Sequence, residues 1–289
     1  MSDHIPSLAD LRREIDVLDE QIQDLLRRRA EVVQRIAAGK DAAGEAGAFL
    51  RPGREAQILR RLLERHRGSL PAAALLRIWR EMISSLYRLQ GPVRVAVHAP
   101  NKSVARWDLA RDFYGTTTPM QLCTTAMAVM RAISSQPATL GVMAMPEDGE
   151  KESWWPMLAS RSGDTPRVIA RLPFVPNPEG RFADLGAFVI GNAAPEPSGE
   201  DASLLVLLAR EEGFSLARLS TMLVQAGLAG HALAQQRGSD GLIRMLVEVQ
   251  GFLAADDARL AALAAGATDL VADAIVIGAY PVPLAAPPA

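Results

Sequence analysis

The chain has 289 residues, 49% hydrophobic and 22% charged, with a net charge of −2, which fits two or three globular domains with real cores and excludes a disordered chain. The charge excludes a nucleic-acid binder working by bulk positive charge, and one cysteine, Cys123, with four histidines excludes a disulfide scaffold and argues against a metal site. No apolar run reaches the roughly 18 residues a membrane span needs, and Met1 to Ala9 hold no apolar signal segment, so the expectation is a cytoplasmic protein without membrane contact or cofactor.

Residues 7–40 read as one long helix. Leu11, Ile15, Leu18, Ile22, Leu25, Arg29, Val32 and Ile36 recur at alternating spacings of four and three, a heptad seam. Ser7 and Asp10 form a capping-box-like start. Such a helix runs about 50 Å, whereas a module of some 90 residues has a radius of gyration of only ~12 Å. It therefore needs a partner, most simply a second copy across a two-fold axis. Residues 41–50 are a Gly/Ala loop. A second helix runs from Pro52 through Arg54 to about His66, and a third from Pro71 to Gln90, where Gly91-Pro92 stops it.

The texture then changes. Strands are expected at 93–97, 139–145, 168–172 and 187–190, with a helix over 119–134 and a linker at 192–200. The last segment reads strand 203–209, helix 214–227, strands 229–236 and 242–250, helix 255–265 and strand 273–279. That βαββαβ order is the ferredoxin-like plan.

Arg29 lies in the apolar seam, where a guanidinium keeps its charge and is expensive without a partner. Lys40, one of only three lysines beside 28 arginines, lies about 20° off the same face and ~16 Å along the axis. Arg12 is ~25 Å from Arg29 and points elsewhere, so it reaches such a site only from the other chain of an antiparallel pair. Arg54 and Glu55 open the second helix, and Gln90 closes the third. Taken singly, Arg29 also reads as a snorkelling seam residue, Lys40 as a helix C-terminal charge, and Arg12, Arg54, Glu55 and Gln90 as solvated polar groups. Together they suit an anionic small molecule whose reaction needs charge stabilisation rather than a nucleophile.

The runs LRREIDVLDEQIQDLLRRRAEVVQRIAAGK, RPGREAQILRRL and WREMISSLYRLQ resemble the all-helical chorismate mutases, especially the mutase domain fused to prephenate dehydratases. The resemblance implies a helix-swapped dimer that rearranges chorismate to prephenate. By matching position, Arg12 would be donated by the other subunit to a substrate carboxylate and Arg29 would clamp a carboxylate within the subunit. Arg54 would be a further site arginine, and Glu55 would accept the ring hydroxyl. Lys40 and Gln90 would hydrogen-bond the ether oxygen as its bond breaks. Leu86 and Arg51 depart from the serine and the acid that some members carry.

Residues 93–280 resemble a prephenate dehydratase followed by its ACT domain, with losses. Ser103 persists in the glycine-rich turn, but Ala99 and Lys102 replace its glycines. Glu147 persists while Asp148-Gly149 replace an Asn-Ser. Phe188 remains of a Thr-Arg-Phe, with Gly186 and Ala187 in place of the other two, and the second lobe is short by about 80 residues. In the ACT-like segment Gly213 and Arg237 match effector-binding positions, but Phe214-Ser215-Leu216 and Ala234-Gln235-Gln236 do not. The expected architecture is multidomain: an all-α three-helix mutase module at 1–91, a truncated dehydratase-like α/β region at 92–192 and an α+β ferredoxin-like ACT domain at 200–282. The expected activity is chorismate mutase without dehydratase and without metal or cofactor; an aromatic amino-acid effector at the ACT-like domain is a further hypothesis, which bulky Phe214 in the effector pocket would oppose. Two other readings stay open: a bifunctional mutase–dehydratase with an atypical second site, and a non-catalytic regulatory binding protein.

Overall fold

The computed structural model describes residues 7–42, 50–100, 104–136, 138–148, 150, 153–176, 180, 182–210, 214–238, 240–265 and 270–285. Most of the 41–50 loop, Lys102, Ser103, Gly149 and Gly213 lie outside the described residues.

Three helices come first: α1 (Leu8–Ala42), α2 (Pro52–Arg65) and α3 (Ala72–Tyr87). The expected cap on α1 is reciprocal: the Asp10 N–H donates to Ser7 Oγ and the Ser7 N–H to Asp10 Oδ2, each at 3.2 Å. Pro52 opens α2, where its missing N–H costs no helical bond. α3 stops at Tyr87, three residues before the expected end. The N–H groups of Gln90 and Gly91 both converge on the Tyr87 carbonyl, at 2.9 and 3.2 Å, and close the last turn.

Among the described residues, nine strands then form one sheet: β1 (Arg94–His98), β2 (Met120–Cys123), β3 (Thr139–Ala144), β4 (Arg167–Leu172), β5 (Ala187–Gly191), β6 (Asp201–Arg210), β7 (Gly230–Arg237), β8 (Leu242–Gln250) and β9 (Val271–Pro281). Their order is β2-β1-β3-β5-β4-β9-β6-β8-β7. Helices α4 (Ala105–Tyr114), α5 (Ala126–Ser135), α6 (Leu216–Gln225) and α7 (Ala258–Ala265) connect them. The helix expected over 119–134 is a correction: the stretch holds β2 and then α5. Thr125 separates them, because its side-chain oxygen accepts from the Ala128 N–H at 3.2 Å and caps α5 there.

β1 runs parallel to β2 and β3, and β5 is antiparallel to both β3 and β4. The last four strands are antiparallel in the order β9-β6-β8-β7, which is the ferredoxin-like plan. The two halves meet edge to edge at β4 and β9, where Val168 pairs with Gly278. Gly278 has φ +154°, and a Cβ there would fall 2.2 Å from the Val168 carbonyl oxygen. Only glycine allows that approach. Over the sheet, Phe188 meets Trp154 and Tyr280 with ring centroids 6.2 and 5.3 Å apart, and Trp154 and Trp155 are almost wholly buried. Each such side chain contributes roughly 1.5–3 kcal/mol.

α2 is the bridge between helices and sheet. A Cβ on Gly53 would lie 2.9 Å from the Glu196 carbonyl oxygen, so the helix lies close against the linker after β5. Arg60 donates to the Ser198 hydroxyl at 3.0 Å and to the carbonyls of Glu200 and Val282 at 2.8 and 3.1 Å. The residues that follow Arg54 and Glu55 are thus anchored on the sheet's C-terminal half.

Candidate active site

Each expected site residue on α1 keeps its helical position. Arg12 is exposed near the N-terminal end, Arg29 is half-buried, and Lys40 is half-buried in the last turn. Burial pulls the Arg29 guanidinium below its usual range. Around these residues the apolar seam lies open. Leu11, Ile15, Leu18, Ile22, Leu25, Val32 and Ile36 are 40–63% exposed.

The first turn of α2 separates its two candidates. Arg54 is exposed and donates to Gln57 Oε1 at 3.3 Å. Glu55 points inward and is 7% exposed. Its Oε2 accepts from the Arg80 guanidinium and its Oε1 from the Tyr87 hydroxyl. Arg80 is itself buried, its guanidinium 3.5 Å from the Phe113 ring centroid. Burial, and then the charge of Glu55, push the Tyr87 hydroxyl well above the ordinary phenol range, so it stays a donor. Gln90 is half-buried in the turn after α3.

One chain therefore brings Glu55, Arg80 and Tyr87 together by hydrogen bonds, from α2 and α3. Arg12 stays about 25 Å from Arg29 along α1. Arg80 and Tyr87 are the residues that reading the sequence missed. Each is one polar or aromatic position in an apolar helical pattern, and nothing local marks either.

In the sheet half, Gly186 stands against Met145. A Cβ on Gly186 would lie 2.6 Å from Met145 Cγ, and Ala187 is wholly buried in β5. In the C-terminal half Phe214 packs against the α6–α7 core and Ala234 is buried. The Gln235 N–H donates to Asp148 Oδ1 at 3.1 Å, tying β7 to the loop after β3. Among the described residues, no group of three or more His, Cys, Asp or Glu side chains is placed to hold a metal, and no helix is long and apolar enough to cross a membrane.

The chain is 41% identical over 96 residues to a bifunctional chorismate mutase/prephenate dehydratase of Stutzerimonas stutzeri, a match covering 32% of this chain and 26% of the relative. It is 33% identical over 140 residues to the protein of that description in Aquifex aeolicus, covering 47% of this chain and 38% of the relative. The chain thus spans well under two thirds of these relatives. A prephenate dehydratase from Arthrobacter aurescens, solved in complex with L-Phe, aligns with TM-score 0.47 and 13% identity over 68% of this chain and 92% of that one. Residues 11–91, which take in most of α1 and all of α2 and α3, match the family model of chorismate mutase type II.

Proposed function

We propose that this chain is a chorismate mutase acting as a homodimer, with no dehydratase activity. The observation that carries the reading is the match of residues 11–91 to chorismate mutase type II; in this reading Arg12, Arg29, Lys40, Arg54, Glu55 and Gln90 contact the substrate. The reaction is an intramolecular rearrangement. The ether C–O bond breaks while a C–C bond forms, and no atom enters or leaves. Negative charge gathers on the ether oxygen in the transition state, so donors fixed there stabilise that state more than the substrate. Lys40 and Gln90 take this role. Arg29 and the partner subunit's Arg12 fork onto the two carboxylates, and Arg54 adds positive potential. Glu55 accepts the ring hydroxyl. Held between them, the flexible dianion stays in its reactive chair-like shape.

The open seam of α1 supports the dimer. Its apolar side chains are half-exposed in one chain, and a second copy would cover them and bring Arg12 to the site. Met145 supports the loss of dehydratase. It fills the space into which a threonine at 186 would project, and Ala187 supplies neither donor nor cation. In this reading the units are 1–91, 92–192 and 200–282, the last being an ACT-like domain for an aromatic amino-acid effector in a cytoplasmic enzyme. The bifunctional descriptions of the relatives favour a second reading, in which an atypical site also dehydrates prephenate.

One experiment separates them. The purified chain is incubated with chorismate and products are resolved by chromatography at neutral pH, beside a Lys40→Ala/Gln90→Ala variant. Prephenate alone, absent with the variant, is expected. Phenylpyruvate would establish the bifunctional reading, and no turnover would end both.

A further inference from the structure

We propose that Arg80 is a positioning residue of the mutase site: it fixes the Glu55 carboxylate and ties it to the backbone of the sheet half. The inference rests on the reading above, in which Glu55 accepts the substrate hydroxyl. Arg80 and Glu55 are 4% and 7% exposed. A carboxylate so far from water needs a cation and hydrogen bonds to remain charged without large cost. Arg80 supplies both, and Tyr87 holds the second oxygen. Each carboxylate oxygen accepts two hydrogen bonds, so one lone pair on each remains for a substrate hydroxyl, in a direction that Arg80 and Tyr87 set.

The other side of the guanidinium is equally occupied. Arg80 Nε and Nη2 donate to the Phe113 carbonyl at 3.2 and 2.7 Å, and the guanidinium lies over the Phe113 ring. Ser84 donates to that carbonyl too, at 3.3 Å. Phe113 belongs to the last turn of α4, beyond the residues that match the mutase family. The orientation of Glu55 is thereby referred to a helix of the second region, through a planar fork that a lysine does not reproduce.

The test uses the full chain with chorismate as substrate and compares Arg80→Met, Arg80→Lys, Glu55→Gln and Glu55→Gln/Arg80→Met. Arg80→Met is expected to lower kcat/KM about 10- to 100-fold, the worth of a charge-assisted bond, with KM raised as in Glu55→Gln. A variant that only destabilised the fold would lose active protein, lowering kcat and leaving KM alone. Arg80→Lys regains part of the loss. In the Glu55→Gln background, Arg80→Met should cost less than about threefold, because its effect runs through Glu55. If Arg80→Met does not fold, the double variant, which buries no charge, and Arg80→Lys carry the comparison. Equal cost in both backgrounds, or unchanged kcat and KM in Arg80→Met, overturns the proposal while leaving the mutase reading intact. An inactive parent chain overturns both.

Discussion

The helical segment and the sheet dispose of their apolar surface in opposite ways. β6 buries nearly every residue between two neighbours, and Trp154, Trp155, Phe188 and Tyr280 are shielded within one chain. α1 carries an apolar seam just as regular, yet its residues stay 40–63% exposed. Its polar residues follow the same division. Glu55 and Arg80 neutralise each other inside the chain, whereas Arg12 sits about 25 Å along α1 from Arg29. Within one chain the described sheet residues shield their apolar side chains, and the α1 seam stays open. If a second copy covers that seam, as proposed, the site depends on assembly as well as on side-chain chemistry.

The largest test of that contrast is chemical. Lys40→Ala and Gln90→Ala each remove one fixed donor, and each is expected to lower kcat about 100- to 1000-fold without changing the thermal midpoint by more than a degree or two. Next is assembly. Ile22→Glu with Leu25→Glu places charges in the seam, where each lost apolar burial costs about 1.5–3 kcal/mol per chain. The variant should elute as a monomer in size-exclusion chromatography and lose mutase activity, while its strand signal in circular dichroism persists. A dimer with wild-type activity would break the comparison.

The sheet half should respond in stability instead. Gly278→Ala forces a Cβ into the Val168 backbone at a left-handed φ, so it should destabilise by more than about 1 kcal/mol, read as a lower midpoint in denaturant. The smallest effect concerns acid. Hydrogen bonds from Arg259 hold the Asp257 carboxyl down to about 2, against 3.8 for an ordinary aspartate. A depressed value means that stability is present above the ordinary range and is lost as pH falls toward the folded value. Asp257→Asn should therefore flatten the stability curve between about pH 4 and pH 2, by a small amount because the pair is partly exposed.

How far the sequence discloses this molecule depends on the range of the interaction. The α1 heptad and the βαββαβ run are written in local periods of 3.5 and 2, and both appear within a few residues of their expected limits. α4 was not legible. Its N-cap, Val104, offers no side-chain acceptor, so no start signal precedes it. β2 has four residues and a mostly exposed pattern, too short for alternation to register. The two half-sheets pair at Val168 and Gly278, across 110 positions. The cluster around Glu55 has the same character. Arg80 is 25 residues from Glu55 and 33 from Phe113, and no spacing rule reaches that far. By contrast Arg29 and Lys40 share a helix, so their common face follows from 100° per residue.

The most direct test of a site completed by a second copy is complementation. Arg12→Ala and Arg29→Ala chains, each inactive alone, are co-expressed and purified together. If Arg12 crosses between subunits, each mixed dimer holds one intact site, and the preparation should recover about a quarter of the parent activity, since half the dimers are mixed and half their sites intact. Activity no higher than the sum of the two separate variants would contradict the account.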